Sequence, residues 1–401
     1  MRHFNYLSPE RSSQLFYRQP EELHLDSDPA LLAVALGATL YTPGNRPTLV
    51  RDIDKQGAAG CTSMVLCLED SIADDEVAAA EENVVATLAE LHRGDTGPDA
   101  STTVNDRPLL FVRVRTPEQM EDLARRAGSS LDVLAGFVIP KFDDEAGAAQ
   151  RFLDALHRIH RDCGQGGEDG RRRLRIMPIL ESAAVIHTES RARALTNIRR
   201  VLRENREDIL AVRIGATDMS SAFGLRRSRD LTIYDVKVVA AVIADIVNVL
   251  GRPEDGYVIS GPVWEHFSNG ERLLRPQLRA TPFAEADEEE LRGRILLANL
   301  DGLMREIGLD HANGLLGKTI IHPTHIPLVH AMSVVTHEEY LDAMEIHGKT
   351  GGGAAASPYG NKMNEMKPHQ SWAAQTLLRA KAFGVAAEGV GFVDLLEASM
   401  A

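Results

Sequence analysis

Short, β-prone apolar runs alternate with longer helical stretches along this chain, and that alternation leaves few folds open. Runs at 38–42, 63–68, 109–114, 136–140, 175–180, 209–214, 257–260 and 319–321 read as eight strands. Between them, 74–91, 143–160 and 183–203 read as helices; the first opens on acidic residues, which favour a helix start, and the other two carry apolar residues at helical spacing. Strands alternating with helices make βα units, and βα units make a parallel sheet. Several of the runs are apolar almost throughout, as strands covered on both faces are. The pattern suits an α/β fold closed into a (β/α)₈ barrel. The open doubly wound sheet is the competitor, but no G-x-G-x-x-G phosphate loop follows an early strand.

The 401 residues exceed the roughly 250 of a barrel, so extensions are expected. Residues 1–36 form an N-terminal extension, 37–335 the barrel, and 336–401 a C-terminal helical lid or oligomerisation segment with a helix over 370–387. Segments 94–106, 164–173, 268–287 and 350–361 read as loops, the last (TGGGAAASPYGN) as a flexible linker. A net charge of −14 gives no counterion-release affinity for phosphate backbones, so nucleic acid is not an expected partner. The longest apolar run, 31–41, falls far short of the ~20 residues of a membrane span. Three cysteines with no C-x-x-C pair, and no apolar leader, point to the cytoplasm.

In a parallel barrel the strand C-termini open on one face, and chemistry gathers there. Pro43-Gly44-Asn45-Arg46, Glu69-Asp70, Arg113 and Arg115, Pro140-Lys141, Glu181-Ser182, Gly215-Ala216-Thr217-Asp218, Ser260-Gly261-Pro262 and His322-Pro323 follow the eight strands in turn. Carboxylate oxygens without Cys/His metal spacing favour Mg²⁺, with Mn²⁺ as the alternative ion. Glu181 and Asp218, on adjacent strand ends, supply two ligands of the kind Mg²⁺ takes. An arginine beside them can hold a carboxylate through paired hydrogen bonds. Metal plus arginine is a receptor for a 2-oxo acid, and the metal stabilises the enolate formed when a carbon–carbon bond breaks.

TPGNRP (42–47), LCLEDSIADDE (66–76), LLFVRVRT (109–116), VIPK (138–141), PILES (178–182), IGATDMS (214–220) and GLLGKTIIHPTH (314–325) together resemble the HpcH/HpaI aldolase and citrate lyase β-subunit family, in the same chain order. The resemblance spans residues 38–330 and implies a TIM barrel, Mg²⁺ and carbon–carbon lyase activity. It implies Glu181 and Asp218 as metal ligands and Arg113 on the substrate carboxylate. Glu69 and Asp70 would bond the metal's waters, and Arg46 and Lys141 would join the substrate pocket. GNKMNEMKPHQSWAAQTLLRA (360–380) resembles the family's lid segment, whose acidic residue completes a neighbouring subunit's site. Asn364-Glu365 stands where Asp is usual, which makes Glu365 the candidate general acid/base. The insertions resemble those of a subgroup from tellurite-resistance-type stress operons.

Each residue has a plainer reading. Glu69-Asp70 could cap the helix near Asp74, and Asp218 could cap another. Of Arg113 and Arg115, close together at the end of one strand, at most one is expected to point inward. His322-Pro323-Thr324-His325 reads as a turn rather than a metal pair. Gly317-Lys318-Thr319 and Gly348-Lys349-Thr350 lack the glycine of a phosphate loop; Ala312 and Ala343 stand there. The Arg171–Arg173 run reads as solvated. The expected function is a Mg²⁺-dependent lyase or aldolase on a 2-oxo or 3-hydroxy acid, free or as a coenzyme A thioester, in a homo-oligomer. A barrel scaffold without turnover and a phosphoenolpyruvate-type mutase or hydrolase are the alternatives.

Overall fold

The computed structural model describes residues 1–96, 107–144, 147–164, 172–267, 300–349 and 351–400. Segment 268–287, most of 94–106 and of 164–173, and Arg171 lie outside the described residues. After a short strand, β1 (Phe16–Arg18), eight parallel strands close a barrel in chain order. They are β2 (Ala38–Pro43), β3 (Ser63–Cys67), β4 (Leu109–Arg113), β5 (Leu134–Ile139), β6 (Arg175–Leu180), β7 (Val212–Ile214), β8 (Ile259–Trp264) and β9 (Lys318–Ile320). Closure comes from β9 pairing with β2, Thr319 opposite Thr39. β3 and β4 are buried at every position, which is why they read as unbroken apolar runs rather than as alternating ones.

Two strands depart from the sequence reading by more than two residues at a boundary. The run at 209–214 contributes regular pairing only over Val212–Ile214, with a single bridge from Ile209 to Ile176. β8 continues past Ser260 through Gly261-Pro262 to Trp264. The register shifts between Gly261 and Trp264, and such an irregularity is where a barrel strand tolerates proline.

The N-terminal extension plugs the barrel's amino-terminal end. Helix Pro29–Ala35 is capped by Asp28 and buries Leu31 to Ala35. Ser63 Oγ donates to Leu36 O (2.6 Å), and Lys318 N donates to Gly37 O (2.8 Å). Gly37 adopts φ +56°, and a Cβ there would meet the His330 ring. His330 Nε2 accepts the Ala38 N–H (3.2 Å), so that nitrogen carries no proton. Burial holds His330 far below the usual imidazole range, and His3, packed edge-on at 4.4 Å, is lowered to about 3. This neutral histidine pair ties the first residues to the barrel floor.

The C-terminal segment joins the same end. Strand β12 (Val385–Ala386) pairs antiparallel with β1, and helix Gln370–Phe383 packs on helix Pro29–Ala35. The predicted linker 350–361 is instead half of a hairpin: β10 (Ala354–Ala356) pairs with β11 (Met363–Glu365). Composition alone missed it, because the three alanines gain order only from the partner strand and from Asp342, which accepts from Ser357 Oγ and Asn364 Nδ2. Among the described residues no helix is long and apolar enough to cross a membrane.

Candidate active site

A cavity of about 430 Å³ opens at the carboxyl ends of the barrel strands. Its lining includes Tyr41, Asp70, Arg113, Glu181, Arg213 and Asp218. Arg113, last residue of β4, is buried and sends Nη2 to three carboxylates: Glu69 (2.5 Å), Asp70 (3.0 Å) and Glu181 (3.3 Å). Its Nε is buried without a hydrogen-bond partner among the described residues. Strand alternation would give Arg115, two residues on, the same face as Arg113; but β4 has ended at Arg113, and Arg115 instead holds the loop after β3 through the carbonyls of Leu68, Glu69 and Ile72.

Glu181 follows β6 and is 4% exposed. Its Oε1 accepts from Arg113 Nη2 and from Lys141 N (3.1 Å). Lys141 holds φ 48°, a left-handed backbone unusual outside glycine, and its amide meets Glu181 from that turn. Burial pushes the Glu181 carboxyl up to about 7; Arg113 pulls it down, while Asp218 and Glu69 push it up again. On the far side Gly215 touches the Glu181 side chain so closely that a Cβ there has no room.

Asp218 lies in the short helix Ala216–Ser221 and is half-buried. The helix cap is Gly215, so Asp218 does not cap it, and its carboxylate has no hydrogen-bond partner among the described residues. Glu69 and Asp70 do not cap either: the next helical turn, Asp74–Glu76, starts after Ala73. Burial resists ionisation of Asp70, but a hydrogen bond with Glu69 and the charges of Arg113 and Lys141 outweigh it, and its carboxyl is held low. Lys141 Nζ reaches Glu69 Oε1 (3.2 Å) from a half-exposed position at the rim.

Six predicted residues therefore converge: Glu69, Asp70, Arg113, Lys141, Glu181 and Asp218. Two do not. Arg46 follows β2 but turns its Nε to Asp52 (2.8 Å) and does not line the cavity. Glu365 sits exposed on β11, where its backbone N–H meets His369 Nδ1 (3.2 Å), away from this chain's cavity. His322 stacks on Phe267 at 5.0 Å and bonds Thr324, a turn as expected. Arg172 and Arg173 are not free in solvent: the first donates to the Asp132 and Leu134 carbonyls, the second pairs with Asp208.

The family model for carbon–carbon bond lyases of the TIM-barrel fold matches residues 30–385. The chain belongs to that family. It is 23% identical over 336 residues to an L-malyl-CoA/β-methylmalyl-CoA lyase of Cereibacter sphaeroides, covering 79% of this chain and 86% of that one. The CitE protein of Mycobacterium tuberculosis, solved with magnesium, acetoacetate and coenzyme A, shares the fold at a TM-score of 0.50 and 18% identity. That likeness covers 87% of this chain and 99% of the other.

In this lyase the sequence reading overlooked Arg213, a wholly buried cavity residue, and Tyr41 beside it. The signal was present: a charge in the middle of the apolar run 209–214 stands in a strand covered on both faces, where charges rarely go without purpose.

Proposed function

We propose that this chain is a cytoplasmic, Mg²⁺-dependent lyase. It cleaves or forms the carbon–carbon bond beside a 2-oxo or 3-hydroxy acid, free or as a coenzyme A thioester. Glu181 carries the reading: a buried carboxylate, raised to about 7 and facing the cavity beside Asp218, is one that a cation would stabilise. The donor set fits a hard ion. Two carboxylates are what Mg²⁺ takes from a protein while keeping water and substrate oxygens for its other positions. Among the described residues no group of three or more metal-ligating side chains surrounds one point, which disfavours a structural zinc-type site. Mg²⁺ on Glu181 and Asp218 would supply positive charge beside the carbonyl oxygen of a bound 2-oxo acid, where charge develops as the bond breaks.

The protein's own groups do the rest. Three carboxylates anchor Arg113 at its Nη2, which leaves its remaining N–H groups to hold a substrate carboxylate. Glu69 and Asp70 orient that arginine and accept from water at the rim. Lys141 adds a second positive charge at the mouth.

Calorimetry with oxaloacetate, glyoxylate and pyruvate, in Mg²⁺ and then in EDTA, tests the reading. Binding is expected only with Mg²⁺, and Glu181→Gln is expected to lose it while keeping its fold by circular dichroism. Acids that bind equally in EDTA, or none that bind at all, would remove the proposal.

Glu365 lies outside this chain's cavity, so its role as general acid/base requires a homo-oligomer in which the C-terminal segment reaches a neighbour's site. Mixing inactive Glu181→Gln and Glu365→Ala subunits is then expected to restore part of the activity, since some sites combine intact residues from both. A monomer by light scattering, or full activity in Glu365→Ala, rules the arrangement out.

A further inference from the structure

The cavity holds two guanidinium groups, and they live in opposite surroundings. Arg113 is tied to three carboxylates. Arg213, on β7, is 1% exposed, and among the described residues no carboxylate lies within ion-pair distance of it. Its partners are neutral: Nη1 donates to Thr39 Oγ1 (3.2 Å), Nη2 donates to Thr319 Oγ1 (2.5 Å), and the Met177 sulfur lies 3.9 Å away. Its Nε is buried, with no hydrogen-bond partner among the described residues. Tyr41 offers the face of its ring, 5.5 Å from the guanidinium carbon.

Hydroxyl groups satisfy hydrogens but do not neutralise charge. A buried cation without a counter-anion costs several kcal/mol, and it persists where something returns that cost. Arginine cannot escape by losing its proton, as a lysine could. A side chain meant only to fill the barrel would be apolar, as the branched residues that dominate barrel interiors are. The place is not sealed, because Arg213 and Thr319 line the same 430 Å³ cavity as Glu181 and Asp218. An anion entering that cavity meets Arg213 directly.

We infer that Arg213 forms a second anion subsite on the cavity floor, and that the acid this enzyme takes carries a second carboxylate, which Arg213 binds. The inference rests on the lyase reading for the first end of the substrate, the 2-oxo acid group that Arg113 and the carboxylate pair receive. The second carboxylate brings the missing negative charge to Arg213, and Thr39 and Thr319 hold the guanidinium in place for it. Acids of the same length without that group leave the cation unpaired, and the site rejects them for that reason.

The test compares oxaloacetate with pyruvate, two 2-oxo acids that differ by one carboxylate, by calorimetry in Mg²⁺. Wild type is expected to bind oxaloacetate roughly ten- to hundredfold more tightly, the range of a hydrogen bond to a charged group. Arg213→Met is expected to bind the two acids alike. Arg213→Gln keeps donors for the two threonines without the charge, and it gives the same answer if the methionine variant does not fold. A preference for oxaloacetate that survives in either variant, or no preference in wild type, overturns the subsite. The lyase reading is separable: pyruvate binding in Mg²⁺ without a dicarboxylate preference keeps it and removes the subsite. Succinate binding in EDTA that vanishes in Arg213→Gln, with no Mg²⁺-dependent binding of any 2-oxo acid, keeps the subsite and removes the lyase.

Discussion

Replacing Lys318 by methionine is expected to lower the unfolding free energy by about 3–5 kcal/mol, the cost of breaking a buried ion pair from one side. Lys318 opens β9 and is wholly buried. Its Nζ lies 2.7 Å from Glu306 Oε1 and 2.7 Å from Asp310 Oδ2, both on helix Asp301–Ala312. Glu306 also accepts from Arg227 Nη1 and from Ile233 N (2.7 Å), and Tyr234 Oη donates to Asp310 Oδ1 (2.7 Å). Two cations and two carboxylates thus balance inside the wall between the helix and the barrel. Without Lys318, Glu306 keeps Arg227 while Asp310 is left without a paired cation among the described residues. The side chain that resembled part of a phosphate loop is therefore a clamp that binds the last helix before β9 to the barrel.

The deficit also carries a sign in pH. Burial raises the Asp310 carboxyl to about 6, with Lys318 opposing the rise. Removing Lys318 lifts that value further. A carboxyl whose folded pKa exceeds its unfolded one binds protons preferentially in the native state, so its ionisation costs stability as pH rises. The variant therefore regains stability as pH falls through the raised folded value toward the ordinary carboxylate range. Urea midpoints for parent and variant, taken at about pH 8 and about pH 5.5, should show a smaller gap at the lower pH. An equal or larger gap at the lower pH would mean that the carboxylates are not left facing one another.

Gly215→Ala is expected to lower turnover by about a hundredfold or more, the scale on which a displacement of about 1 Å acts at a reacting centre. The backbone there has φ −93° and ψ 70°, so alanine is not excluded by its torsions. Space excludes it: the added Cβ would overlap Glu181 Oε2 and stand only 2.5 Å from Glu181 Cβ. The second contact is with the root of the side chain, which cannot swing aside, so the end of β6 must part from the end of β7. The Glu181 carboxylate then leaves the reach of Arg113 Nη2 and Lys141 N. Overpacking of this kind costs about 1–3 kcal/mol, so the variant should fold while losing its Mg²⁺-dependent binding of 2-oxo acids. Parent-level binding and turnover in Gly215→Ala would show that Glu181 is not held where its chemistry requires.

The barrel was legible because strands such as β3 and β4 are buried on both faces, and that condition writes an apolar run into the sequence. The rim was legible for a related reason. A polar residue at the end of such a run, as at Glu69, Arg113 or Glu181, sits where the strand leaves the core, so one dimension of its position is set by the run itself. Strand ends were read less well where pairing is irregular. Gly261-Pro262 looks like a stop, yet β8 passes through it, because a register shift spares the hydrogen bond that proline cannot make. The hairpin of β10 and β11 left no mark, since Ala354–Ala356 has no preference of its own strong enough to read.

The sequence by itself determined the order of the strands, the closed barrel and the carboxylates that its carboxyl end presents, together with Arg113 but not Arg213. Those follow from periodicity and strand polarity, which are local. Only the tertiary structure decided how the charges are shared. It gave Arg113 three acids and Arg213 none, sent Arg46 to Asp52, and placed Glu365 on a hairpin away from the cavity. The partners of Arg113 and Arg213 come together across strands and loops tens of residues apart, and the field and burial at a side chain depend on which of them arrive. Glu181 reaches about 7 only because the barrel removes its water and brings Asp218 and Glu69 close, a fact that no stretch of neighbouring residues contains.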